Sequence, residues 1–172
     1  IGIQLNFDEK SYKEMERAVL SVMSAKNNRL AELREIILGK IPTRFNSEEF
    51  AFEVPNLNKS QNKAVNNIVS AEDVALVHGP PGTGKTTTLV AAIQQLIKRE
   101  SPVLVCAPSN SATDLLTEKL ADAGLKVVRI GNVSRVEDNL LMHTMEGVLQ
   151  SLPEMQEVKK MKIELTKLRR NA

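Results

Sequence analysis

Apolar residues recur at three- and four-residue steps near the start of the chain. Tyr12, Met15, Val19 and Val22 keep the step, and Leu30, Leu33 and Ile37 resume it after a polar break at 26–29. This period predicts a long helix over 10–38, with Gly39 as its C-terminal cap and Pro42 beyond its stop. Residues 41–58 hold no sustained period and carry two prolines, which predicts an ordered connector. From Ser60 the pattern changes. Ser60 is a candidate N-cap for a helix over 61–70 that turns Ala64, Val65, Ile68 and Val69 inward. Short apolar runs at 74–78, 103–107 and 126–130 read as buried strands, and two amphipathic stretches, 85–98 and 111–123, read as the helices between them.

Strand, helix, strand, helix, strand at this spacing predicts right-handed crossovers and a parallel sheet. Near the C-terminus, Leu152, Met155, Val158, Met161, Leu165 and Leu168 again step by three and four. Ser151 with Glu154 forms a capping-box pattern, and Pro153 falls in the first turn, where a missing N–H costs nothing. The fold class expected is α/β, with two long flanking helices. The expected divisions are an N-terminal helical arm at 1–40, a connector at 41–58, the α/β unit at 59–140 and a returning helical segment at 141–172. The chain opens with Ile1 rather than methionine and ends at Ala172 in charged helical sequence, so it reads as a fragment.

Composition narrows the class further. With 42% hydrophobic and 26% charged residues, the 172-residue chain holds enough apolar mass for a core and is no disordered tail. No apolar run approaches the roughly 18 residues of a membrane span, so no membrane partner is expected. The single Cys106 excludes a disulfide framework within the chain and suits a reducing compartment, cytoplasmic or nuclear. Acidic and basic side chains balance up to residue 140, and the net charge of +2 arises in 141–172. Tyr12, Phe7, Phe45, Phe50 and Phe52 all precede residue 53. Neither a basic field nor a base-stacking platform announces nucleic acid.

One motif carries chemistry. Gly79-Pro80-Pro81-Gly82-Thr83-Gly84-Lys85-Thr86 matches the phosphate-binding loop G-x-x-x-x-G-K-[ST]. Its glycines let successive N–H groups curl toward phosphate oxygens, and the helix beginning near Lys85 adds the positive end of its dipole. Lys85 supplies a point charge for the β- and γ-phosphates. The Thr86 hydroxyl is placed to ligate Mg²⁺, and Thr87 still faces phosphate. A strand before the loop and a helix after it complete the context of a nucleotide site.

The neighbouring segments resemble a definite family. Leu57-Asn58-Lys59-Ser60-Gln61, the phosphate loop, and Val103-Leu104-Val105-Cys106-Ala107-Pro108-Ser109-Asn110 look like the Q motif, motif I and motif Ia of superfamily 1 helicases. The likeness is strongest to the branch containing the nonsense-mediated-decay and immunoglobulin-mu-binding-protein helicases. Thr117-Glu118-Lys119-Leu120, Val127-Val128-Arg129-Ile130-Gly131 and Ser134-Arg135 continue it, as does the stretch from Asp8 to Gly39. The resemblance implies a RecA-like P-loop fold, present here as its N-terminal half. It also implies an ATP- and Mg²⁺-dependent motor moving 5′ to 3′ on single-stranded DNA or RNA. Gln61 would then read the adenine edge, Lys85 would assist catalysis, and Pro108, Ser109 and Asn110 would touch the nucleic-acid backbone. The helix over 152–170 would begin that family's helical insertion.

Departures from the family pattern are equally legible. No apolar strand ending in Asp-Glu follows the phosphate loop: Glu72-Asp73 precedes it, and Glu137-Asp138 follows no strand. The catalytic carboxylate and the arginine fingers are therefore expected beyond Ala172. Two other classes remain open, a P-loop enzyme such as a small-molecule kinase and a non-enzymatic module built on the helical arms. Structural roles are expected for the remaining candidates. Cys106 should be a buried strand residue, His78 a strand-end packing residue, and Met15, Met23, Met142, Met145, Met155 and Met161 core fillers. Ser109 and Asn110 can cap the helix that follows them, and Lys159, Lys160, Lys162, Lys167, Arg169 and Arg170 form a solvated face.

Overall fold

The computed structural model of the chain describes residues 9–46, 53–133 and 136–170. The helix expected over 10–38 is two helices, α1 (Glu9–Ser24) and α2 (Arg29–Ile37). Asn27 adopts a φ of 53°, a left-handed conformation that asparagine tolerates better than most side chains. Asn28 then N-caps α2, its side-chain oxygen accepting the Ala31 N–H at 3.0 Å. The polar break at 26–29 is thus a turn rather than a polar patch on a continuous helix. Arg34 ties the turn down, its Nη1 donating to the carbonyls of Val22, Met23 and Ala25 at 2.8, 3.1 and 3.1 Å. Gly39 closes α2 as expected, at a φ of +72°. Its N–H donates to the Ile36 carbonyl and the Lys40 N–H to that of Glu35, both at 2.9 Å, the paired bonds of a Schellman motif.

A cluster of charges fastens α2 to the residues just before 74–78. The Asp73 carboxylate has no exposed side-chain surface and accepts hydrogen bonds from the guanidinium groups of Arg29 and Arg44. It also accepts the Arg44 backbone N–H at 2.8 Å. The two side-chain bonds, Arg44's first, hold this carboxyl far below the usual carboxylate range. A single antiparallel bridge between Phe45 and Ala71 runs alongside.

Helix α3 (Lys59–Ser70) begins two residues earlier than expected, with Asn58 rather than Ser60 as its N-cap. Asn58 and Gln61 form a reciprocal capping box: the Asn58 side chain accepts the Gln61 N–H, and the Gln61 Oε1 accepts the Asn58 N–H, both at 2.9 Å. α3 packs on α4 (Lys85–Leu96) through Val65, Val69, Ala91 and Ala92, with Val54, Leu57, Ile68 and Leu96 around them. Asn62 anchors the connector to this core, exchanging hydrogen bonds with both backbone groups of Val54. α5 (Asn110–Asp122) ends in a second Schellman motif at Gly124, and Gln94 of α4 donates to the Ala123 carbonyl at 3.2 Å.

The runs at 74–78, 103–107 and 126–130 are not helical, and among the described residues no ladder joins them. One isolated parallel bridge, Arg129 to Thr144, is the pairing found on them. Exposure alternates with a two-residue period at 103–107 and 125–130 but not at 74–78, where Val74 and Ala75 are half-buried and Leu76, Val77 and His78 are all exposed. Val103, Val105, Ala107, Leu125, Val127 and Arg129 are covered, whereas Leu104, Cys106, Val128 and Ile130 are exposed. Leu104 is 82% exposed and Leu76 93%. Cys106 falls on the exposed side of its run and is therefore not the buried strand residue expected.

After a 3₁₀ turn (Asp138–His143), α6 (Met145–Ser151) starts from Thr144, whose hydroxyl accepts the Gly147 N–H at 3.1 Å. Ser151 does not cap the last helix. It ends α6, and its hydroxyl donates back to the Val148 carbonyl at 2.7 Å. Pro153 opens α7 (Pro153–Arg170), where its ring suits the first turn. Both arm helices leave their apolar stripes open to solvent: Tyr12, Met15, Val19 and Met23 on α1, and Met161, Leu165 and Leu168 on α7. The methionines are therefore not core residues. Met142 and Met145 are exposed as well, and only Met155 is half-buried. Lys159, Lys160 and Lys162 lie on an exposed face as expected, while the side chains of Lys167, Arg169 and Arg170 lie outside the described residues.

Candidate nucleotide site

The phosphate loop forms between the run at 74–78 and α4. Gly84 occupies the N-cap of α4 at a φ of 78°, and no side chain caps that terminus. An uncapped first turn presents its N–H groups to an incoming anion, with the helix dipole behind them. Gly82, at a φ of +80°, makes the other left-handed bend of the loop. Thr83 braces the turn, its hydroxyl donating to the Pro80 carbonyl at 2.8 Å. Pro81 is exposed on the loop, and a Cβ on Gly79 would lie 2.7 Å from the Thr83 Oγ1.

Lys85 folds back over the loop. Its Nζ donates to the carbonyls of Gly79 and Pro80 at 2.6 and 2.9 Å, so the ammonium sits inside the curl that a phosphate would fill. Thr86 is half-buried and Thr87 exposed. Thr88 is buried at 3% exposure, its hydroxyl donating to the Gly84 carbonyl at 3.0 Å, which fixes the first turn from inside.

Gln61 reaches this loop from α3. Its Nε2 donates to the Thr83 carbonyl at 3.1 Å, while its Oε1 serves the capping box with Asn58. The amide thus meets the P-loop directly, a contact that spans 22 residues of sequence. Both ends of it already hold a partner, and one N–H of Nε2 is left for a ligand. Gly84 needs a left-handed φ, and a Cβ there would stand 2.6 Å from that same Nε2, so the Gln61 amide would have to shift.

Pro108, Ser109 and Asn110 lie together at the end of the run 103–107. Ser109 is the N-cap of α5, its Oγ accepting the Ala112 N–H at 3.2 Å. Asn110 is exposed, and its Oδ1 accepts a hydrogen bond from Arg129 Nη2 at 2.9 Å. His78 is exposed beside the loop. Ser134 and Arg135 lie outside the described residues. Sequence reasoning missed Asn58 as the cap and Arg129 as a buried partner. The Asn58-x-x-Gln61 box was a readable signal for the first; the second had none.

A family description, AAA domain, matches residues 56–172. The chain belongs to this family. Within it, the chain carries part of the first domain of a superfamily 1 helicase of the nonsense-mediated-decay branch, with the P-loop NTPase fold. It is 34% identical over 144 residues to the DNA-binding protein SMUBP-2 of Mesocricetus auratus, an alignment covering 83% of this chain and 15% of that protein. It is 35% identical over 164 residues to an uncharacterized ATP-dependent helicase of Methanocaldococcus jannaschii, covering 92% of this chain and 24% of the relative. Against the ATP-dependent helicase upf1 of Schizosaccharomyces pombe, identity is 39% over 127 residues, covering 67% and 14%. The chain therefore spans a quarter or less of these curated relatives.

Proposed function

We propose that this chain is the ATP-binding part of an ATP-dependent helicase or translocase that moves 5′ to 3′ along single-stranded DNA or RNA. The observation that carries the reading is the uncapped N-terminus of α4, ringed by a glycine loop that already closes around an ammonium group. The names of its relatives supply the motor class.

The reaction proposed is attack of water on the γ-phosphorus of ATP, with release of ADP and phosphate. The backbone N–H groups of 82–87 hold the phosphates, and Lys85 leaves its two carbonyl partners to pair with the β- and γ-oxygens. Thr86, half-buried in the first turn, fits a Mg²⁺ ligand: its hydroxyl is a hard oxygen donor beside the phosphate cradle. When bound, the ion neutralises charge that develops on the phosphate oxygens. Gln61 meets the adenine edge with its remaining N–H while staying attached to the P-loop through Thr83. Pro108, Ser109 and Asn110 contact the nucleic-acid backbone, where hydrogen bonds position the strand without reading sequence.

In this reading the runs 74–78, 103–107 and 126–130 align as parallel strands of a RecA-like sheet. Residues 1–40 are a stalk-like arm, 41–58 a connector, 59–140 the P-loop unit, and 141–172 the start of a helical insertion. The site of action is cytoplasmic or nuclear. Among the described residues, no helix is long and apolar enough to cross a membrane. The test is ATP hydrolysis by the intact protein with and without a single-stranded oligonucleotide. Stimulation that disappears in Lys85→Ala supports the motor. Transfer of the γ-phosphoryl group to a small acceptor instead of water, with no response to oligonucleotide, overturns it.

A further inference from the structure

Arg129 is the most buried arginine described, at 3% exposure, and its guanidinium is shared among three partners. Nε donates to Asp114 Oδ1 at 3.0 Å, Nη2 to Asn110 Oδ1 at 2.9 Å, and Nη1 to its neighbour's carbonyl, Ile130, at 3.4 Å. Its backbone N–H donates to the His143 carbonyl at 2.7 Å. Asp114 is buried alongside it, so the ion pair is shielded and fixes the plane of the fork. Gly131 makes room: a Cβ there would collide with Nη1.

This geometry dictates which way Asn110 faces. A guanidinium offers donors only, so the amide end that meets Arg129 must be the carbonyl oxygen. The other end, Nδ2, carries two N–H donors at the exposed start of α5, next to Pro108 and Ser109. Left free, the amide could rotate and present its oxygen to a phosphate instead.

We propose that Arg129 is a positioning residue for nucleic-acid binding: anchored by Asp114, it holds Asn110 so that the amide nitrogen faces the phosphate–sugar backbone of the strand. The inference rests on the reading of 108–110 as a nucleic-acid contact. It adds a buried residue that never touches the strand.

The experiment measures fluorescence anisotropy of a labelled single-stranded oligonucleotide with the intact protein, alongside titration of an ATP analogue and a thermal melt. Asn110→Ala should weaken oligonucleotide binding by about tenfold or more, the weight of one hydrogen bond to an anion. Arg129→Lys keeps a charge for Asp114 but loses the fork, and should weaken it similarly. The double variant should bind no worse than Asn110→Ala alone, and analogue affinity should stay within about twofold throughout. Asn110→Asp, an exposed change that folds independently of Arg129→Lys, still accepts from Arg129 yet offers no outward donor. It should bind more weakly than Asn110→Ala.

Multiplicative losses in the double variant, equal loss of analogue binding, or wild-type affinity in Asn110→Asp would each overturn the inference while leaving the helicase reading standing. Failure of the wild-type protein to bind any oligonucleotide would overturn both.

Discussion

Lys85 Nζ lies 2.6 Å from the Gly79 carbonyl oxygen, bridging the two ends of the glycine-rich loop. The contact ties Lys85 back across the curl of the loop, where the proposed reading puts the phosphates. In the proposed reading a nucleotide would replace these neutral carbonyls with anionic oxygens, turning an ion–dipole contact into an ion pair.

Lys85→Ala should therefore weaken adenine-nucleotide binding by at least about tenfold, the cost of one hydrogen bond to a charged group. Lys159→Ala, on the exposed face of α7, should leave it unchanged. Titration of the 172-residue chain with a fluorescent nucleotide checks both. The same chain should turn ATP over negligibly, since its sequence supplies no Asp-Glu strand end after the loop. Missing an arginine finger alone costs about 10³–10⁵ in rate. Rapid phosphate release that depends on Lys85 would show that a carboxylate of this chain already serves the water.

Two glycines with matching backbones should respond differently to alanine. Gly39 and Gly84 have φ angles of +72° and +78°, so each substitution carries about 1–2 kcal/mol of left-handed strain. At Gly39 nothing lies within 4 Å of the added carbon, whereas at Gly84 it meets Gln61 Nε2. Gly39→Ala should lower the melting temperature and spare nucleotide affinity. Gly84→Ala should reduce both.

The Asn58 cap separates neighbouring residues in the same way. Asn58→Ala should cost about 1 kcal/mol of stability in urea unfolding, the usual value of an N-cap. Ser60→Ala should cost almost nothing, because Ser60 lies inside α3 and is exposed. Asn58→Ala should leave nucleotide affinity nearly unchanged, since the bond that holds the Gln61 amide comes from the Asn58 backbone N–H, which alanine keeps.

Asp73 predicts an acid limb. Its pKa is depressed in the folded protein by hydrogen bonds from Arg44 and Arg29. Such a group adds stability that is complete above the ordinary carboxylate value near 4 and is lost progressively as pH falls below it. Thermal melts between pH 7 and pH 2 should show this loss, and Asp73→Asn should flatten that part of the profile. An unchanged acid limb in Asp73→Asn would mean that the arginines hold α2 without it.

Helix positions, the Gly39 and Gly124 stops and the phosphate loop were legible because each depends on residues within a turn or two. An apolar residue every three or four positions needs one buried face, a Schellman glycine needs only its own φ, and Gly-Lys-Thr at a helix start carries its chemistry locally. The break between α1 and α2 was marked as polar but read as part of one helix. Its cause is two asparagines with different backbone angles, a local feature whose signal was too weak to outweigh the period on either side.

Sequence by itself thus determined most of the helical stretches, the Gly39 and Gly124 stops, and the glycine-rich G-x-x-x-x-G-K-[ST] loop at 79–86. Tertiary structure alone decided which residues meet across distance. Gln61 reaches Thr83, Arg129 reaches Asp114 and Asn110, and Arg29 reaches Asp73 across 44 residues. It also decided which side of the run at 103–107 is covered, exposing Cys106 and Leu104 while Val103 and Val105 are half-buried. The physical reason is the same throughout. A period states that one face wants cover, and a charge states that it wants a partner, but which neighbour supplies them depends on how distant segments pack.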